Sequence, residues 1–308
     1  MTKAFLSTPE IEISRLKDFN YKVKFIEPDL DIQDKFKKLK VAYIDENSYS
    51  NKGCHFFIHG HPTWSYLWRH LIPLSVKNGY RAIALDLPGF GRSDKIIDKD
   101  FFSFNNYRNT IINFIKKLEL NEITLFMHEW GGTLGLTLPM EDPKLFKGSV
   151  CFSSYLGNGF IPINEAYSDW IIKSKTEKEF NVRALMARTN RILSLSECNA
   201  YDAPFPNNNY KLSLNMLPSI YPISQDYDGF EICRKTEEWW KNNNLNFSLI
   251  LGGGRDPLIP IDKLKMLSKL ISTDGLTHII GNAGHFLPEW GMEFGKELFE
   301  QIKTKEDG

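Results

Sequence analysis

Six short apolar runs, most of them followed by a stretch with helical spacing, constrain this chain more than any other feature. They lie at 54–58 (Cys-His-Phe-Phe-Ile), 82–85 (Ala-Ile-Ala-Leu), 123–127 (Ile-Thr-Leu-Phe-Met), 149–152 (Ser-Val-Cys-Phe), 247–251 (Phe-Ser-Leu-Ile-Leu) and 277–280 (Thr-His-Ile-Ile). A strand covered by helices on both sides of its sheet is apolar throughout rather than alternating. Between the second and third runs, Ile111, Phe114, Ile115 and Leu118 fall on one helical face and leave Lys116 and Lys117 to solvent. The expectation is an α/β fold with a mostly parallel central sheet and helices on both faces. Segments 21–26 and 39–44, ahead of the first crossover, read as an antiparallel lead-in hairpin.

The alternation stops after Ser154. From about 155 to 229 the chain is rich in Asn, Ser and Tyr, with helical fragments at 165–175 and 182–193, and then the βα pattern resumes. This predicts a helical cap, 155–229, inserted into a core made of 1–154 and 230–308. With 42% hydrophobic residues in 308, there is ample side chain for a sizeable core. Lys+Arg and Asp+Glu both number 38, so no basic surplus points to nucleic acid or to an anionic membrane. No apolar run approaches the roughly 20 residues of a membrane span, and residues 1–7 lack the long apolar stretch of a secretion signal. A cytoplasmic monomer is expected. Cys54, Cys151, Cys198 and Cys233 are scattered, with no spacing suited to zinc, so they read as buried or free thiols and no metal is expected.

In parallel α/β sheets the reactive groups gather at the carboxyl ends of strands. Glu129 follows the third run in Glu-Trp-Gly-Gly, Asp256 follows the fifth in Arg-Asp-Pro, and His285 follows the sixth in Ala-Gly-His-Phe. Nucleophile, acid, then histidine is the chain order of a hydrolase built on a nucleophile elbow. Each residue alone has a plainer reading: a Glu at a helix start, a turn Asp before proline, a structural His. Their joint placement at strand ends favours chemistry. Gly131 and Gly132 permit a tight strand-to-helix turn, and the Trp130 amide would face a developing oxyanion. The loop His59-Gly60-His61-Pro62 would supply the second amide, from His61. A serine at the elbow attacks acyl carbon, whereas a carboxylate suits displacement at saturated carbon, leaving an alkyl ester. His285, oriented by Asp256, would then act as the base that activates water.

The stretches 59–69, 86–94, 129–132, 135–140, 203–206 (Ala-Pro-Phe-Pro) and 283–286 together resemble the haloalkane dehalogenases of the α/β-hydrolase fold, and most of all the Xanthobacter 1,2-dichloroethane dehalogenase subgroup. The likeness spans about residue 20 to the C-terminus. It implies hydrolysis of a small apolar organohalogen to an alcohol and a halide ion, without metal or organic cofactor. It also implies a leaving halide held by two indoles, Trp130 after the nucleophile and Trp170 in the cap, and an apolar pocket of Tyr167, Leu217, Pro218, Tyr221, Leu258 and Ile259. Two departures matter: the family nucleophile is Asp where this chain has Glu129, and His61 stands where relatives carry Asn or Glu. Two other readings remain open at this level. One is an epoxide or ester hydrolase of the same fold, for which the cap tyrosines are the cue; the other is a weakly catalytic binder of a small ligand or halide.

Overall fold

The apolar runs form the middle of one eight-stranded sheet. The structure, a computed structural model, describes residues 4–14, 16, 19–30, 32–157, 163–177 and 179–307. Residues 1–3, part of the N-terminal stretch read above, lie outside it. In chain order the strands are β1 (Phe5–Leu6), β2 (Val23–Ile26), β3 (Val41–Glu46), β4 (Cys54–Ile58), β5 (Arg81–Leu85), β6 (Lys95–Ile96), β7 (Ile123–His128), β8 (Phe146–Phe152), β9 (Phe247–Gly253) and β10 (Thr277–Ile280). The large sheet has the order β10-β9-β8-β7-β4-β5-β3-β2, and β1 pairs with β6 in a separate ribbon. From β5 to β10 every neighbouring pair in this sheet is parallel; β3 runs antiparallel to both β2 and β5, so the expected lead-in hairpin forms the sheet edge.

Parallel pairing brings the strand ends together. Ile58, the last residue of β4, is in register with Met127 of β7, so the loop 59–62 and the corner at Glu129 leave the sheet side by side. Gly253 of β9 is in register with Ile280 of β10, which likewise sends the loops carrying Asp256 and His285 off the same edge. The central strands are fully buried, and Phe57 and Phe126 meet across β4 and β7 with ring centroids 4.6 Å apart. Aromatic pairs of this kind add about 0.5–1.5 kcal/mol beyond the area they bury.

Between β8 and β9 the chain leaves the sheet for a series of short helices, among them Glu165–Thr176, Val182–Met186, Leu195–Asp202 and Leu212–Met216, before Phe230–Asn242 returns to it. The helix expected over 182–193 ends at Met186, and a new one starts at Leu195. The second start is local: the Ser194 hydroxyl accepts from the Glu197 amide while the Glu197 carboxylate accepts from the Ser194 amide, a capping box that begins the new helix.

One buried ion pair ties these helices to the core. The Arg69 guanidinium makes two bonds to Glu289, at 2.6 and 2.7 Å, and a third to Glu197 on the helix Leu195–Asp202 at 2.8 Å. Tyr201, on that same helix, donates to Glu289. With Arg69 and Glu289 both buried, removing one member strands the other charge out of water, which costs far more than the pair contributes. Glu289→Ala is therefore expected to lower stability by about 3–5 kcal/mol in equilibrium chemical denaturation.

Candidate active site

β7 ends at His128 and the helix Trp130–Gly135 begins two residues later, leaving Glu129 alone to turn the corner. Its backbone has φ 49° and ψ −113°, outside the regions that residues with a side chain prefer, at a cost of order 1–3 kcal/mol. Neighbouring glycines make the corner possible. A Cβ on Gly131 would stand 2.1 Å from the Ile58 carbonyl oxygen, and one on Gly60 would stand 2.6 Å from Glu129 Oε2. Both positions are closed to any side chain. The corner aims the Glu129 carboxylate across the sheet edge toward the loop after β4, and the residue is only 3% exposed.

Three donors hold that carboxylate. Oε2 accepts from the backbone N–H of His61 at 2.7 Å and of Trp130 at 2.6 Å, and Oε1 accepts from the Tyr167 hydroxyl at 2.8 Å. Burial raises the Glu129 pKa, and His285 with the three hydrogen bonds opposes that rise without cancelling it. The amides of His61 and Trp130 thus form a pair of donors aimed at one oxygen, the arrangement that stabilises an oxyanion.

His285 Nδ1 lies 3.0 and 3.1 Å from the two oxygens of Asp256. Asp256 is in turn held by the backbone N–H groups of Leu258 and Ile259 at 2.8 and 3.0 Å. Burial alone would push the His285 pKa down, but the adjacent Asp256 carboxylate, and Glu129 beyond it, raise it above the ordinary histidine value. For Asp256, burial is likewise overcome, here by the imidazole and the hydrogen bonds it accepts, and its pKa is lowered.

The neighbouring histidines are neutral struts. Burial pushes His59 down to about 4 and His61 and His128 down to about 3. His59 Nε2 accepts from the Leu87 N–H at 2.9 Å, and His61 Nε2 donates to the Leu214 carbonyl at 2.8 Å, which joins the loop after β4 to the cap. His128 Nε2 donates to the backbone carbonyl of His285 at 2.9 Å and so fixes the loop that carries His285.

Around these groups the cap supplies a wall of rings. Trp130 meets Tyr221 edge-on at 5.4 Å, Tyr221 meets Tyr167 at 5.2 Å, and Tyr167 meets Tyr155 at 5.9 Å. The Trp130 indole N–H is buried and has no hydrogen-bond acceptor among the described residues. Trp170 packs edge-on against His61 at 5.5 Å and Phe180 at 5.7 Å; the two indoles are not in ring contact with each other. A cavity of about 210 Å³ has His61, Trp170, Arg188, Leu258, His285 and Trp290 in its lining, but not Glu129, Trp130, Tyr167 or Tyr221. Of the remaining expected pocket residues, Leu217 and Pro218 are buried in the cap turn that packs on the helix Glu165–Thr176, and Ile259 is buried with its amide on Asp256.

Two contacts could not be read from the sequence: the Tyr167 hydroxyl on the carboxylate, and the His128 bond to the His285 loop. Tyr167 is 38 positions from Glu129, and nothing in either stretch signals that they touch. His128 precedes the elbow, and its partner is a backbone carbonyl 157 positions along the chain. Among the described residues, one group, His70, Glu197 and Glu289, lies close enough to share a metal ion, but its two carboxylates are already paired with Arg69.

The family profile described as the α/β-hydrolase fold matches residues 56–292. A haloalkane dehalogenase of Psychrobacter cryohalolentis is 32% identical over 304 residues, covering 96% of this chain and 97% of the relative. One from Mycolicibacterium paratuberculosis is 29% identical, with 96% of each covered. Among solved structures, the tetrameric haloalkane dehalogenase DpaA from Paraglaciecola agarilytica NO2 superposes with a TM-score of 0.87 at 34% identity, covering 95% of this chain and 97% of that one. With a carboxylate at the elbow and kinship along nearly its whole length, the chain belongs to the haloalkane dehalogenases of the α/β-hydrolase fold.

Proposed function

We propose that this protein hydrolyses small neutral haloalkanes to an alcohol, a halide ion and a proton through an alkyl ester on Glu129. The observation that carries the reading is the state of the Glu129 carboxylate: buried at a strained corner, with one oxygen on two amides and the His285–Asp256 pair beside it. An oxygen of the carboxylate attacks the carbon bearing halogen, and the halide departs. The unpartnered indole N–H of Trp130 is a donor without charge, suited to a leaving anion, and Trp170 on the cavity wall is the second indole of that site, as in the Xanthobacter subgroup. Water, giving a proton to His285, then adds to the ester carbon, and the oxyanion forms on the oxygen held by His61 and Trp130. Leu258 lines the cavity, and in our reading Tyr167, Leu217, Pro218, Tyr221 and Ile259 are the buried apolar wall behind it that substrate meets; this apolar, aromatic character suits a substrate with no charge to pair.

The longer side chain of Glu129 is in our reading an adapted nucleophile. Both oxygens meet donors at 2.6–2.8 Å with the extra methylene in place. All the groups named come from one chain, so turnover needs no second subunit; a monomer is our reading of the solution state, to be tested by light scattering because DpaA is a tetramer. No helix among the described residues is long and apolar enough to cross a membrane, and the four cysteines are buried and unpaired, which fits a cytoplasmic, reducing setting.

Halide release from terminal chloro-, bromo- and iodoalkanes, followed in parallel with turnover of epoxides and esters, tests this function; activity on epoxides or esters alone would replace it. Glu129→Gln is expected to abolish halide release. Glu129→Asp withdraws the carboxylate by about 1.5 Å, and kcat/KM is expected to fall about 10²-fold; a gain instead would mean that the three donors hold the longer side chain in an unproductive pose.

The pH dependence follows from His285. Its pKa is raised in the folded protein, so the rate of the base-catalysed step is lost as pH falls through a value above about 6.5. The sign for stability is opposite: the His285–Asp256 ion pair contributes in full below about 6.5 and is lost as pH rises through the raised value. Asp256→Asn removes the main raising influence and leaves burial, so the imidazole titration followed by NMR is expected to move to lower pH while kcat falls at least about 10²-fold.

A further inference from the structure

Tyr167 lies in the first turn of the cap helix Glu165–Thr176, where the Asn164 side chain accepts from its backbone N–H at 2.9 Å. Its ring is fixed between Tyr155 and Tyr221, and its hydroxyl donates to Glu129 Oε1 at 2.8 Å. The two oxygens of Glu129 are therefore not equivalent. Oε2, on the amides of His61 and Trp130, is suited to be the carbonyl oxygen of an ester and the seat of an oxyanion. Oε1 is left to attack carbon, and it becomes the bridging oxygen of that ester.

This distinction matters most in the second half of the reaction proposed above, on which the inference rests. Water adds through its oxygen to Cδ of Glu129, one of its protons going to His285, and the negative charge forms on Oε2. Collapse breaks the Cδ–Oε1 bond, and the electron pair leaves on Oε1 as the alkoxide of the product. A departing alkoxide in a buried site needs a proton donor, and Tyr167 is already on that atom.

We propose that Tyr167 is a catalytic residue of ester hydrolysis, passing its hydroxyl proton to Oε1 as the alcohol leaves. The resulting phenolate takes the proton of the new Glu129 carboxyl, whose hydroxyl oxygen came from water. Glu129 is restored as a carboxylate, Tyr167 as a phenol, and His285 releases its proton to solvent. Burial, reinforced by Glu129, keeps the phenol protonated far into the alkaline range, so the donor form is the resting one.

The same hydrogen bond acts in the opposite sense in the first half. By engaging Oε1 it blunts the attacking oxygen, so its removal should not slow ester formation and should slow ester hydrolysis. A merely structural role would slow both. In rapid mixing of Tyr167→Phe with 1-bromobutane, we expect a burst of bromide of about one per active site, at a rate no lower than in the wild type. Steady turnover should then be about 10²-fold below wild type, with a butyl adduct on the peptide carrying Glu129 found by mass spectrometry. The burst amplitude also counts the folded sites. Wild-type turnover in the variant, or burst and turnover falling together without adduct, would overturn the proposal. If the phenylalanine variant fails to fold, fluorotyrosine at 167 keeps ring and hydroxyl: an alkaline loss of kcat at lower pH with an unchanged burst rate supports the role, and an unchanged profile overturns it. Wild-type protein that releases no bromide at all would instead remove the dehalogenase reading itself, and this inference with it.

Discussion

The site depends on one constraint: a carboxylate taken out of water must find donors for both oxygens. Glu129 meets it with two backbone amides on Oε2 and one phenol on Oε1. Those amides cannot be moved independently of the fold. One belongs to the residue after the elbow, the other to a loop that leaves β4 in register with β7. The strained backbone at Glu129, the closeness of Gly131 to the Ile58 carbonyl and the absence of a Cβ at Gly60 are conditions for bringing the two amides to one atom. An unsatisfied buried carboxylate would cost several kcal/mol, so the cradle is as much a requirement of folding as of chemistry.

The same constraint acts on the longer acid that stands where the resemblance implies Asp: across from the two amides, the Glu129 carboxylate meets a donor of the cap, the Tyr167 hydroxyl on Oε1. The cap is in turn held to the core by bonds that do not touch the carboxylate: His61 to the Leu214 carbonyl, and Arg69 with Tyr201 on Glu289. Position of the Glu129 carboxylate, closure of the cap and orientation of the loop after β4 are thus mechanically linked.

The sequence disclosed what depends on neighbours along the chain. Apolar runs at 54–58 and 123–127 announced buried strands, the glycines after Glu129 announced a tight corner, and the order Glu129, Asp256, His285 placed three groups at strand ends because parallel pairing leaves no other edge for them. It stayed silent where contact depends on how the cap settles. Tyr167 looked like pocket lining because its hydroxyl has no partner within reach along the chain, and His128 looked like packing because its partner is a backbone carbonyl 157 positions away. The helix start at Leu195 was legible in principle, since Ser194 and Glu197 have capping-box spacing.

The histidines show how one environment is made to serve opposite ends. His55, His59, His61, His128 and His285 are all buried, and burial works against the charged form in each. The first four are driven down and remain neutral across the physiological range, which leaves their ring nitrogens free to act as fixed donors or acceptors for carbonyls, hydroxyls and amides. Of these five only His285 is driven up, by the Asp256 carboxylate at 3.0 Å and by the charge of Glu129. Burial therefore cannot be what sets His285 apart; the two acids do. In the reaction proposed above, a proton released from water beside Glu129 finds three neighbouring imidazoles, His59, His61 and His128, that burial keeps from accepting it and one, His285, that accepts it, so its path is set by where the chain placed Asp256 rather than by any property of histidine itself.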